Sequence, residues 1–97
     1  MKTNLSTTIK RQYFDDILAR RKVDEYREDT PYWRKRIDGK IVDKLTLICG
    51  RDVLTVTVAF WSKIETPAEL RGIVRTPMCY RLALIPDSII AKRSERK

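Results

Sequence analysis

The chain has 97 residues, with 21 lysines and arginines against 13 acidic residues, a formal net charge of +8 and no histidine. That length suits one domain, since a single core typically organises roughly 50–200 residues. The missing histidine removes Ser-His-Asp and Cys-His catalysis, and two cysteines cannot assemble a four-ligand nitrogen and sulfur zinc site.

At 42% hydrophobic and 35% charged, the chain supports a modest core and is too apolar to read as disordered. No apolar run approaches the ~18 residues that span a bilayer, and Met1–Lys10 lacks the apolar centre of a signal peptide. Cys49 and Cys79 therefore point to a reducing, cytoplasmic setting with free thiols. Nothing in the sequence implies a metal or a cofactor, and no membrane partner is expected.

Ser6 to Ile9 reads as a brief first strand. Residues 10–21 then read as an amphipathic helix, with Tyr13, Phe14, Ile17 and Leu18 on one apolar face. Arg11–Asp15 and Asp16–Arg20 are i, i+4 ion pairs on its wet side. Val23 to Arg27 alternates like a short strand. Thr30-Pro31 supplies an N-cap and first helical residue for a helix over Pro31 to Ile37, which Gly39 ends in a left-handed conformation. Leu45 to Cys49 and Leu54 to Trp61 alternate around the turn Gly50-Arg51-Asp52 and predict a hairpin. Thr66-x-x-Glu69 has the spacing of a capping box and predicts a short helix stopping near Gly72. Cys79 to Ile85 is strand-like, Pro86 interrupts it, and Ile89-Ile90 adds a short last strand. The order β-α-β-α-β-β-α-β predicts an α+β domain, a small mixed sheet or barrel closed by short flanking helices. Residues 1–91 form this domain and residues 92–97 a basic tail.

The surplus charge is uneven. Residues 20–40 carry eight basic and five acidic side chains, and the tail carries four basic and one acidic. The two remaining stretches net only +1 each. A basic field attracts polyanions, of which nucleic acid is the commonest in cells. Within residues 20–40, Lys22, Glu25 and Arg27 follow a Lys-x-x-Glu-x-Arg spacing. On a strand Glu25 and Arg27 share one face, where the arginine holds the glutamate ionised. On spacing alone, a salt-bridged strand rim accounts for this triplet better than a site does. Tyr32 and Trp33 beside Arg34-Lys35-Arg36 could stack a base and fork a phosphate, or could anchor a short helix to the core.

Taken together, Tyr13-Phe14-Asp15-Asp16-Ile17-Leu18, Lys22-x-x-Glu25-Tyr26-Arg27 and Pro31-Tyr32-Trp33-x-x-Arg36 resemble the ASCH domain, more narrowly its small members often encoded by phages. Ile64-Glu65-Thr66-Pro67 and Cys79-Tyr80-Arg81-Leu82 fall where that family has a strand-to-helix junction and a late strand. The resemblance implies a PUA-like pseudobarrel with a cleft near Lys22, Glu25 and Arg27. It also implies RNA binding, or in some members hydrolysis of modified nucleosides or RNA. The family signature, Gly-x-Lys-x-x-Glu-x-Arg, has its glycine where this chain has Arg20. Its acetylcytidine amidohydrolase branch matches at Lys22 but has a catalytic threonine where this chain has Glu25, so that chemistry does not carry over. That branch also uses a glutamate beyond the central strands, for which Glu65 is the better candidate because Glu69 is explained as the capping-box residue.

The leading expectation is an RNA- or single-strand-binding module in which Lys22, Arg27 and Arg36 meet phosphate while Tyr32 or Trp33 stacks a base. A hydrolase using Lys22, Glu25 and Glu65, with Arg27 as anion clamp, is the alternative. A non-catalytic phage-type adaptor that docks a host protein through the basic tail is the third.

Overall fold

The computed structural model describes residues 2–92. Its elements are β1 (Lys2–Thr8), α1 (Arg11–Leu18), β2 (Asp24–Glu28), α2 (Pro31–Ile37), β3 (Ile41–Cys49), β4 (Asp52–Glu65), a 3-10 turn (Ala68–Leu70) and β5 (Met78–Lys92). The expected order holds, except that a three-residue 3-10 turn stands in place of the third helix. Lys92 ends β5, and the rest of the basic tail lies outside the described residues.

The five strands form one mixed sheet in the order β1-β3-β4-β5-β2, curled into a half-barrel. β1 runs parallel to β3, and the other neighbours are antiparallel. Leu5, Leu45, Leu47, Leu54, Val56, Val58, Tyr80, Leu82 and Leu84 fill the concave face. Phe14 and Ile17 of α1 and Ile37 of α2 close it, each 0–1% exposed. Helices of eight and seven residues are too short to hold alone. Burial of each such apolar side chain, about 1.5–3 kcal/mol, ties them to the sheet. Tyr80 also anchors the end of α2, its hydroxyl donating to Asp38 Oδ1 at 2.7 Å. Burial and that neighbouring carboxylate push the Tyr80 phenol well above its ordinary pKa. Among the described residues, no helix is long and apolar enough to cross a membrane, and both cysteines are free.

Local chemistry explains where the expected boundaries hold. Thr30 caps α2, its Oγ1 accepting from Trp33 N at 3.4 Å with Pro31 at the first helical position. Gly39 follows with φ +71°, as expected. The β3–β4 hairpin turns at Gly50-Arg51, with Gly50 at φ +62° in the first central position that a two-residue loop reserves for glycine.

β1 spans Lys2–Thr8 where the sequence predicts Ser6 to Ile9, and the hairpin strands, expected over Leu45 to Cys49 and Leu54 to Trp61, extend to Ile41–Cys49 and Asp52–Glu65. Three further features differ from expectation. Helix α1 stops at Leu18 in a Schellman motif, with Arg20 N donating to Ile17 O at 3.0 Å and Arg21 N to Asp16 O at 2.9 Å. Arg20 takes the left-handed position at φ +65°, the sole non-glycine to do so among the described residues. The early stop also moves Asp16 away from Arg20 and onto Arg21, at 3.0 Å. Next, the expected break at Pro86 is a bulge within a single strand β5. The ladder runs from Thr57–Ile85 to Thr55–Ile90 and leaves Pro86–Ile89 outside it. Ser88 Oγ fills the gap, accepting from Thr57 N and donating to Ile85 O, both at 2.7 Å. Finally, the capping box does not form. Thr66 Oγ1 donates instead to Thr76 O at 2.6 Å, and its N–H to Pro77 O at 2.9 Å, closing the neck of a loop over residues 66–77.

A non-glycine residue in the left-handed region carries a cost of about 1 kcal/mol that glycine avoids. Arg20→Gly should therefore raise the urea midpoint, by about 1 kcal/mol in unfolding free energy. Gly39→Ala should lower it by a similar amount through backbone strain alone, because a Cβ there meets nothing within 4 Å.

Candidate functional site

Because the sheet does not close, β1 and β2 are its two edges. A cleft of about 410 Å³ lies at the seam between them. The turn after β1 contributes Ile9 and Lys10, and α1 contributes Tyr13. Lys22, Glu25, Tyr26 and Arg27 line it from the β2 side. Leu70, Ile73 and Val74 of the 66–77 loop form the remaining wall. This volume lies within the 300–1,000 Å³ usual for small-ligand clefts, and its lining is chiefly apolar.

As the strand pattern predicts, Glu25 and Arg27 share a face, opposite Leu82 and Tyr80 of β5. Glu25 is 5% exposed. A carboxylate so buried needs a countercharge, and it has two. Lys22 Nζ lies 3.1 Å from Oε1, and an Arg27 guanidinium nitrogen donates to Oε2. Lys22 also donates to the Asp24 carbonyl and sits 5.3 Å and 6.0 Å from the ring centres of Tyr26 and Tyr13. Arg27 reaches across the seam to the Thr8 carbonyl at 3.4 Å, and its guanidinium lies 5.3 Å over the Trp33 ring. Its buried Nε–H has no acceptor among the described residues. Burial, reinforced by Asp24, raises the Tyr26 phenol above its ordinary pKa, so this side chain stays a neutral donor at physiological pH.

The other expected site residues lie elsewhere. Glu65 ends β4 and lines a second cavity of about 450 Å³ on the other side of the loop. Tyr32, Trp33 and Arg36 do not line the cleft. Trp33 packs against the core, edge to face with Tyr32 at 4.9 Å, and meets the cleft only through Arg27. The Tyr32 ring is already covered by Arg36 at 3.5 Å. Its partner is intramolecular. Glu69 is exposed, and the capping role that explained it is absent.

No family model matches this chain, nor does any curated protein or solved structure. The chemistry of the cleft must therefore be derived from its own residues. It offers apolar and aromatic walls, one buried carboxylate with both oxygens engaged, and two cations fixed by that carboxylate. Such a lining suits a flat, largely apolar ligand carrying hydrogen-bond acceptors. Among the described residues, no cluster of three cysteines or acidic residues is placed to hold a metal ion.

Several lining residues escape sequence reasoning. Tyr13 reads as core because it shares the spacing of Phe14 and Ile17. Ile73 and Val74 follow Gly72 as an apolar pair outside any periodic element, and Ile73 remains 53% exposed. That unpaired apolar step in a polar loop is the available signal.

Removing the Glu25 carboxylate leaves two cations with about a fifth of their side-chain surface exposed and no counterion between them. Glu25→Ala should lose about 3 kcal/mol of stability in urea unfolding, the low end for breaking a buried pair. Glu25→Gln, which keeps the shape and an acceptor, should lose less.

Proposed function

We propose that this chain is an ASCH-like module with a PUA-like fold that binds RNA or another single-stranded nucleic acid, taking one base into the cleft beside Lys22, Glu25 and Arg27. The observation that carries this is the convergence of those three residues on one concave, apolar and aromatic wall. A convex salt-bridged rim would have dispersed them. Tyr13 and Tyr26 supply the apolar contact, while Lys22, Tyr26 and Arg27 supply donors for the acceptors on a base edge.

The backbone at Arg20 supports the resemblance to the ASCH signature. The signature places glycine where this chain adopts φ +65°, so the same turn is made here by an arginine under strain. The mixed half-barrel is compatible with a PUA-like pseudobarrel.

Binding is better served than hydrolysis. A general base needs a carboxylate free to take a proton. Both Glu25 oxygens hold cations, and Glu65 opens on a different cavity. Glu25 thus acts as a positioning residue for Lys22 and Arg27.

A short fluorescein-labelled single-stranded RNA, followed by anisotropy, tests this. Affinity should fall steeply as salt rises from about 50 to 200 mM. Tyr13→Ala, confirmed folded by circular dichroism, should weaken binding about tenfold, within the range for losing one stacked base. Binding that ignores both salt and Tyr13→Ala would defeat the reading.

A further inference from the structure

We propose that the second cavity, lined by Arg71 and Arg75, is a phosphate site that receives the backbone phosphate next to the base held in the cleft. It rests on the proposed nucleic-acid reading for its source of phosphate, while the anion chemistry stands on its own geometry.

The 66–77 loop is a shared wall. Leu70, Ile73 and Val74 face the cleft, whereas Arg71, Val74 and Arg75 face the second cavity. Both sets have i, i+3 or i+4 spacing and are offset by one residue, as the two sides of a helical turn would be. The turn is real: Ile73 N and Val74 N both donate to Leu70 O, at 2.9 and 2.7 Å. Val74 belongs to both linings, so the cavities are separated by the width of one side chain.

The second cavity has the opposite chemistry to the first. Neither Arg71 nor Arg75 makes an ion pair among the described residues, and both are exposed. Lys10, Lys35, Arg36, Lys40, Lys44 and Arg51 likewise make no ion pair among the described residues. Arg20, Arg21, Lys22, Arg27 and Arg34, which dominate the basic 20–40 segment, are each held by an Asp or Glu. Beside the cleft, the cations without an ion pair among the described residues are therefore Lys10 and the loop's Arg71 and Arg75. Two guanidinium forks lining one cavity present donors suited to phosphate oxygens. The loop that carries them is fixed at its base by the Thr66–Thr76 bond, by Asp29 N to Thr76 Oγ1 at 3.0 Å and by Arg75 N to Glu28 Oε2 at 2.7 Å. Glu28 is thus engaged by backbone. Glu65 lines the same cavity and opposes an anion, which makes it a brake on affinity.

Two probes separate this proposal from the one it extends. Inorganic phosphate titrated into the full chain, followed by NMR, should shift the Nε–Hε signals of Arg71 and Arg75 saturably. Arg71→Ala/Arg75→Ala should abolish the effect, and Glu65→Gln should tighten it. The labelled RNA should bind the double alanine variant with a salt slope lower by about 0.7, the value for one phosphate contact on a single strand. Arg71→Lys/Arg75→Lys should retain the slope. Phosphate that leaves both arginine signals unmoved, or RNA binding whose salt slope survives the double alanine change, overturns the phosphate site. Failure of the RNA to bind the wild type, with the phosphate shifts intact, overturns only its assignment to a nucleic acid.

Discussion

The half-barrel depends at its open edge on one buried carboxylate. Glu25 sits on β2, a strand paired on one side with β5 and left free on the other. Placing a charge there is costly unless cations meet it. Lys22 meets it from the turn after α1, and Arg27 meets it from the same strand face. Arg27 then spends another donor on the Thr8 carbonyl, so the ion cluster also bridges the seam that the backbone leaves open. The cleft exists because that seam is spanned by side chains, which leave space that a ladder of backbone hydrogen bonds would fill.

Much of the fold was legible because many of its signals are local. Thr30, Pro31 and Gly39 bracket α2 with residues no more than nine positions apart, and Gly50 marks the hairpin. The misreadings share a different cause. Arginine has no left-handed preference, so nothing in Arg20 announces the end of α1. Thr66 and Glu69 have capping-box spacing, but the Thr66 hydroxyl finds a carbonyl ten residues on. Pro86 removes a strand donor, and Ser88 replaces the lost pairing through a partner on another strand. In each case a contact distant in sequence outcompetes a local rule.

The site divides along the same line. Lys22, Glu25 and Arg27 share one short segment and could be read together from their spacing. Tyr13, Ile73 and Val74 join them only after β5 returns the chain, and no spacing encodes that. Net charge misleads for a related reason. Residues 20–40 carry the internal surplus, yet most of their arginines are neutralised by partners within reach. Arg71 and Arg75, in a stretch that sums to nearly zero, are exposed and make no ion pair among the described residues. Formal charge counts residues, whereas attraction depends on which of them lack a partner.

The order of the strands has a consequence for how the molecule comes into being. β1 takes its place only against β3, and β2 only against β5, the last of the described strands. Both walls of the cleft therefore wait on pairings between residues far apart, the slowest kind to close. During synthesis, a chain that has not yet delivered residues 79–83 has no strand on which β2 can rest. Lys22, Glu25 and Arg27 are made early but become a site late, so a nascent chain carries its basic segment long before it has a cleft to use it.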